Sequence, residues 1–379
     1  MSGVQIQSVE DRKSRAAFIN VPHIVFANDP AWIAPLNFER AQHISPKHNP
    51  FFEHGRAQLF LAMQGGKPVG RISAQVDDLR LERHKDATGM FGFLDAIDDA
   101  EVFRKLFQVA ENWLKDQAMR RVIGPFSFSI NEETGLLVDG FEHPPAVMMG
   151  HAAPYYQNHL TAAGYEKAKD TLAYDFDYSH ELPRGMAGML AKVRATGDLV
   201  VRPLSKQHLD RDLAILIDIF NDAWSGNWGF TPFSKAEIDK LGQDLKMLVE
   251  EEFIAFASYQ GEPCAMAVTL PDINCAAHDL QGRLFPFGWA KLLARLKFAA
   301  PVAVRMPLMG VRKAYHGTPV GSALAMAVID EIRSYHVSRG TRRAELSWIL
   351  EDNLPMRRMI EAVGGKPYKT YRIYQRDLT

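Results

Sequence analysis

At 379 residues the chain exceeds what one hydrophobic core usually organises, so about two domains are expected. With 47% hydrophobic residues, 23% charged residues and a formal net charge of -1, it reads as an ordinary folded protein, and no nucleic-acid partner is expected. Two cysteines, Cys264 and Cys275, are too few for a disulfide framework or a thiolate zinc site and fit a reducing compartment.

His23, His43, His48 and His54 are dispersed, and His143 and His151 lack a partner at ligand spacing, so no metal is expected. The N-terminus has no basic patch followed by an apolar run, and Lys297, Pro301 and Arg305 interrupt the longest apolar stretch. The expected location is cytoplasmic, with peripheral contact at the inner membrane left open.

Residues 59–63 and 69–76 read as a hairpin turning at Gly65 and Gly66. A long amphipathic helix follows over 99–117, with Val102, Leu106, Val109, Ala110, Trp113 and Leu114 at helical spacing and Asp98 or Asp99 as its cap. Prolines and glycines in SINEETGLLVDGFEHPP predict a shaped loop without regular structure. A short helix near 155–163 and a strand near 171–178 close the first half. Residues 181–198 are taken as the connection between domains 1–180 and 199–379.

The second half repeats this order. A strand over 199–203, helices from Asp210 and near 235–248, and a second hairpin turning at Gln260 and Gly261 precede a helix over 288–299. In that helix Trp289, Leu292, Leu293 and Leu296 recur at helical spacing beside Lys291, Arg295 and Lys297. The pattern suits a membrane interface near Trp289 to Phe298, a lipid-chain groove, or an ordinary docked surface helix.

A strand over 302–311 then passes through a glycine-containing turn into a helix from Val320 to Tyr335. Free N–H groups and the helix dipole at such a start bind anions without lysines. Gly317 and Gly321 would let a pyrophosphate approach, although an ordinary helix start explains the glycines equally well. A strand through Glu345 to Leu350, then Asp352, Asn353, a helix with Pro355 in its first turn, Gly364 and a last alternating strand complete the pattern.

This arrangement resembles the GNAT acyltransferases: strand, phosphate loop, helix, diverging strand, Asn and a second helix ending in Gly. His316 stands at the Q/R position of the loop, Pro319 replaces its first glycine and Gly321 fills its last. Across the whole chain, PHIVFANDPAWIAPL, SPKHNPFFEHG, GPFSFSINEETGLLVDGFEHPP, AWSGNWGFTPF, LPDIN and GRLFPFGW resemble a bacterial tandem GNAT-like family that includes the bacterial ceramide synthases. The resemblance implies two α/β (α+β) domains, each a mixed, largely antiparallel sheet flanked by helices. Only the C-terminal one is expected to hold acyl-CoA.

It also implies Met309, Gly310, Val311, His316, Gly317, Thr318, Val320, Gly321, Ser322 and Asn353 as the cofactor-binding set. Transfer of a fatty acyl group to the amine of a sphingoid long-chain base is the expected reaction. Another amine, or a non-catalytic acyl-CoA or lipid-binding module, are the alternatives. Attack on a thioester needs a neutral amine, so Asp272 and Glu351 are candidate proton acceptors. Tyr315 is the candidate acid, since Ile360 stands where many relatives carry a tyrosine. Trp224, Asn227, Trp228 and Asn274 are candidate acceptor-site residues, joined from the first half by Asn131 and Glu132 beside Glu133.

Overall fold

The computed structural model describes residues 3–180, 183–299 and 301–378, with the side chains of Arg184 and Leu248 left aside. The chain forms two compact units. One comprises Met1–Leu172, Ala277–Ala290 and Lys369–Thr379, the other Ala173–Ala276 and Lys291–Tyr368.

In the first unit, Gln5–Ser8, Gly55–Gln64, Lys67–Asp77 and Thr88–Ala96 run antiparallel in that order. Arg121–Gly124 then pairs in parallel with Thr88–Ala96, and residues Tyr374 to Asp377 pair antiparallel with Arg121–Gly124. The first hairpin turns on Gly65 and Gly66, both at positive φ (58° and 78°), the two-residue turn that matches strand twist. Helix Ala100–Asp116 makes the parallel crossover; the Asp99 carboxylate accepts from the N–H groups of Glu101 and Val102. Its Val102, Phe103, Leu106, Phe107, Ala110 and Leu114 are buried along one stripe. Replacing the fully buried Leu106 by alanine would cost about 3 kcal/mol.

The second unit repeats the plan. Leu199–Pro203, Ile254–Tyr259, Glu262–Pro271 and Ala303–Val311 are antiparallel neighbours, and Arg343–Leu350 lies parallel to Ala303–Val311 across helix Pro319–Ser338. Tyr178 N–H donates to Arg342 O, so the end of strand Glu166–Asp177 runs beside Arg343–Leu350. Each unit is therefore a mixed, largely antiparallel sheet flanked by helices, as the sequence predicts.

The compact units change over at residue 172/173, and the first includes 277–290 and 369–379 from the second half of the sequence. Of the proposed connection, Glu181 and Leu182 lie outside the described residues, and Arg184–Ala195 is a helix. The loop after Gly124 is more regular than its prolines and glycines suggest. Phe126–Ser127 pairs with Glu133–Thr134, and Leu136–Asp139 pairs with the last strand.

Candidate functional site

The site begins where two parallel strands part. Ala303–Val311 pairs with Arg343–Leu350 only from Ala303 to Met306. The next residue, Pro307, has no N–H to continue a ladder. On the opposite edge, Val268 pairs with Leu308 but Leu270 with Arg305, so the 303–311 strand carries an extra residue there. A bulge and a proline at one place turn the strand away from its neighbour.

Arg312 N–H turns to Cys264 O at 2.8 Å, so the alternate residues Met309 and Val311 present their polar backbone atoms to the open edge. Two side chains read that edge in place of a strand. Trp224 Nε1–H donates to Met309 O (3.3 Å), and His316 Nε2–H donates to Val311 O (2.7 Å).

The open edge leads into the loop before helix Pro319–Ser338. Lys313–Tyr315 makes one tight turn, and Gly317 sits at φ 71°, a left-handed conformation that glycine adopts freely. Thr318 caps the helix: its Oγ1 accepts from Gly321 N–H (3.0 Å) and donates to Tyr315 O (2.8 Å). A Cβ on Gly321 would lie 2.0 Å from Tyr315 O. Gly321 is thus required by the folding of the loop back over the helix start, a reason distinct from ligand approach. Among the described residues none accepts a hydrogen bond from the N–H of Gly317 or Val320. Two uncommitted donors therefore stand at the positive end of a 20-residue helix, the geometry of an anion site.

Beside this loop lies a cavity of about 840 Å³ lined entirely by residues of the second unit. Met309, Gly310, Val311, Tyr315, His316, Gly317, Gly321, Ser322 and Asn353 line it, as do Trp224, Asn227 and Trp228. Asn353 also caps helix Leu354–Ala362 by accepting from Met356 N–H (3.3 Å). The sequence reading missed the apolar part of the wall. Met186 and Met189 of helix Arg184–Ala195, Met356 and Met359 of helix Leu354–Ala362, and Met326 with Ile329 of helix Pro319–Ser338 lie three residues apart and share a face. With Met306 and Met309, seven of the chain's 15 methionines line one cavity. Unbranched thioethers adapt to an irregular apolar occupant. Arg358, exposed on helix Leu354–Ala362, brings a guanidinium to the rim.

Thr318, Val320, Asp272, Asn274 and Glu351 do not line the cavity. Thr318 and Val320 belong to the loop as cap and donor. Glu351 O accepts from Arg357 (2.8 Å). Asp272 stands at the end of strand Glu262–Pro271, where its N–H donates to Ala303 O (3.0 Å). Its carboxylate accepts from Asn274 N–H (3.2 Å) and Cys275 Sγ–H (3.1 Å).

Leu346 faces the cavity, so Glu345 and Ser347, its sequence neighbours, project to the other face of the sheet. There Arg305 Nε–H donates to Ser347 Oγ (2.8 Å), and Ser347 Oγ–H (2.5 Å) and Tyr368 O–H donate to the buried Glu345. Burial, then the carboxylate of Asp272 and more weakly that of Glu345, push the Cys275 thiol up to about 12. Both carboxylates thus act on one neighbourhood. The hydrogen bond to Cys264 raises the Tyr315 phenol above its ordinary value, so it is protonated at neutral pH.

In the first unit the equivalent open edge is filled by its own chain. Beyond the pairing of Thr88–Ala96 with Arg121–Gly124, Phe93 N–H donates to Ser127 Oγ (3.2 Å), and Gln75 Nε2–H groups donate to Phe126 O (2.6 Å) and Phe128 O (3.1 Å). Only Ile97, Asp98 and Asp99 separate that strand from its helix, and the cap is a carboxylate.

Asn131 and Glu132 belong to this unit. Glu132 accepts from Phe128 N–H, Ser129 N–H (3.1 Å) and Asn49 Nδ2–H (3.1 Å), and pairs with His43 at 3.1 Å. Arg40 pairs with Glu133 beside it. Burial works against the His43 charge, but Glu132 outweighs it and holds the imidazole's pKa above its ordinary value. Asn131 N–H donates to Ser129 Oγ (3.2 Å).

No family model matches the sequence. The chain is 42% identical over 378 residues to Protein YghO of Escherichia coli (strain K12), covering 98% of this chain and 95% of that one. It is 43% identical over 362 residues to the bacterial ceramide synthase of Caulobacter vibrioides, covering 95% and 94%. Among solved structures, a tandem GNAT protein from the clavulanic acid biosynthesis pathway aligns over 99% of both chains with a TM-score of 0.59 at 11% identity. A GCN5-related N-acetyltransferase from Sphaerobacter thermophilus aligns over 99% and 96% with a TM-score of 0.51 at 10% identity. These distant likenesses establish the fold. The near full-length identity establishes the family, and the chain belongs to the tandem GNAT-like acyltransferases that include the bacterial ceramide synthases.

Proposed function

We propose that the second unit transfers a fatty acyl group from acyl-CoA to the amine of a sphingoid-type long-chain base, by direct attack within a ternary complex. The observation that carries this reading is the methionine-lined cavity opening beside an anion-binding helix start. A phosphate-bearing thioester with a long apolar tail matches both ends. An acetyl group would leave that wall unfilled. The name of the 43% identical Caulobacter relative supports a sphingolipid acceptor.

In this reading, Gly317 and Val320 N–H groups bind the pyrophosphate, with Arg358 as a counter-charge at the rim. Met309 N–H, on the open strand edge, donates to the thioester oxygen as negative charge develops there. The amine attacks the carbonyl carbon, the C–N bond forms, and the C–S bond breaks as the oxyanion collapses. Asp272, directly or through water, takes the amine proton. Tyr315 gives a proton to the departing thiolate, yielding amide and free CoA. Asp272 is preferred over Glu345 because Glu345 is engaged by Ser347, Tyr368 and Arg305 and is only 4% exposed. The first unit, with its edge filled and an aspartate on its helix start, binds no acyl-CoA in this account.

The test is a comparison of kcat/KM for long-chain bases, amino acids and other lipid amines with one long-chain acyl-CoA. A preference of about a hundredfold or more for the long-chain base is expected. Equal rates would remove the sphingoid base while leaving acyl transfer intact.

A further inference from the structure

The whole chain is balanced, with 44 basic and 45 acidic residues, yet residues 280–329 hold seven lysines and arginines and no aspartate or glutamate. An even distribution would place about six carboxylates in that stretch. Within it lies the main concentration of exposed apolar side chains. Among the described residues, four of the five exposed phenylalanine and tryptophan side chains are Phe285 (83% exposed), Phe287 (77%), Trp289 (50%) and Phe298 (86%).

Helix Gly288–Phe298 explains part of this pattern. Leu292 turns inward and is buried, and Arg295 donates inward to Ala276 O (2.5 Å). Trp289 and Leu293, four residues apart, share an outer face that is left uncovered. Lys291 and Lys297 are exposed on the same short helix.

We infer that this stretch docks the protein on the surface of an anionic lipid bilayer. Aromatic side chains with one apolar face lodge at the depth of the headgroups, and lysines alongside them meet anionic lipid. Charge complementarity selects this occupant. Arg305, Arg312 and Lys313 are engaged by Ser347, Asp218 and Ser225 and Arg295 turns inward, so the charge beside the aromatics is that of the exposed Arg283, Lys291 and Lys297. A second copy meeting the same face across a two-fold axis would set these cations against one another. The stretch rests on the surface and does not span, since among the described residues no helix is long and apolar enough to cross a membrane. The inference goes beyond acyl transfer and does not depend on it, although a lipid amine held in the bilayer would reach the enzyme by this route.

The full-length protein is sedimented with vesicles of phosphatidylcholine alone and of phosphatidylcholine with about one third phosphatidylglycerol. It is expected to pellet with the anionic vesicles and to be released as salt rises. The triple variant Phe285→Ser/Phe287→Ser/Phe298→Ser should bind roughly tenfold more weakly, and Lys297→Glu should show a loss of similar size, while both retain acyl-CoA binding in solution. Those three side chains are exposed, so their replacement leaves the core intact. Failure of the native protein to pellet at low salt, equal binding to both vesicle types, or unchanged binding by the triple variant overturns the inference. Loss of a dimer in the triple variant without any vesicle binding would assign the surface to self-association instead.

Discussion

Replacing Gly321 by alanine separates the loop's geometry from its chemistry. The new Cβ would sit 2.0 Å from Tyr315 O, where ordinary contact begins at 3.4 Å, so the carbonyl must withdraw by about 1.4 Å. That carbonyl accepts from Thr318 Oγ1 (2.8 Å) and Thr318 N–H (3.2 Å), so the cap moves with it, at a cost of about 1 kcal/mol in stability. The larger effect falls on the ligand. Gly317 and Val320 N–H groups lie on either side of Thr318, and a hydrogen bond to a charged group contributes about 1.5–3 kcal/mol. Misplacing one of them should weaken acyl-CoA binding roughly 10- to 150-fold, and misplacing both by more.

Gly317→Ala is the comparison. Nothing lies within 4 Å of the Cβ that this change would add, and only the φ of 71° is disfavoured, at about 1–2 kcal/mol of stability. Its affinity loss should stay within about tenfold. Calorimetric titration with a non-hydrolysable acyl-CoA thioether, paired with urea unfolding, reads both quantities. A folded Gly321→Ala protein that binds the thioether as tightly as the native chain refutes the placement of the phosphates.

Met359→Trp should shorten the preferred acyl chain: excluding two methylenes at about 0.8 kcal/mol each lowers kcat/KM for the longest substrate roughly 15-fold, and an unchanged chain-length profile would count against the acyl tail lying there. Asp272→Asn should lower kcat by roughly a hundredfold or more with acyl-CoA affinity unchanged, whereas Glu345→Gln should chiefly lower stability by leaving Arg305 underpaired; the reverse split would move the proton acceptor to Glu345. His336 is buried, its Nε2–H donates to Thr269 Oγ1 (2.9 Å), and burial holds its pKa down to about 4. The unfolded chain therefore takes that proton first as pH falls. The His336 contribution is whole above about 6.5 and is lost between about 6.5 and 4, roughly 3 kcal/mol in all. Urea midpoints of the native chain and His336→Phe should converge over that window, and parallel curves would contradict the assignment.

The elements that the sequence reading located share local causes. Paired glycines at 65–66, the Asp99 cap and the Asn353–Pro355 helix start act through neighbouring residues, and each stands where the spacing predicts. Strand Thr88–Ala96 escaped because two glycines interrupt its pattern. Gly92 is there for a non-local reason, since a Cβ would meet Phe126 O at 1.7 Å. The splay, expected from the resemblance, also has a local cause in the sequence: Pro307 inside an otherwise strand-like run marks where pairing must stop. The methionine wall had none, because its pairs come from three helices that only the tertiary fold brings together. Asn131 and Glu132, a polar cluster conspicuous in sequence, make hydrogen bonds and an ion pair with Ser129, His43, Asn49 and the backbone within the first unit.

In the proposed reaction this chain uses the thioester of acyl-CoA to form an amide in its second unit. Free-thiol release, followed together with product mass during incubation with long-chain acyl-CoA and a long-chain base, tests it most directly. One thiol is expected for each N-acyl product, with both lost together in Gly321→Ala. Tight binding of acyl-CoA with no thiol released to any amine would contradict it.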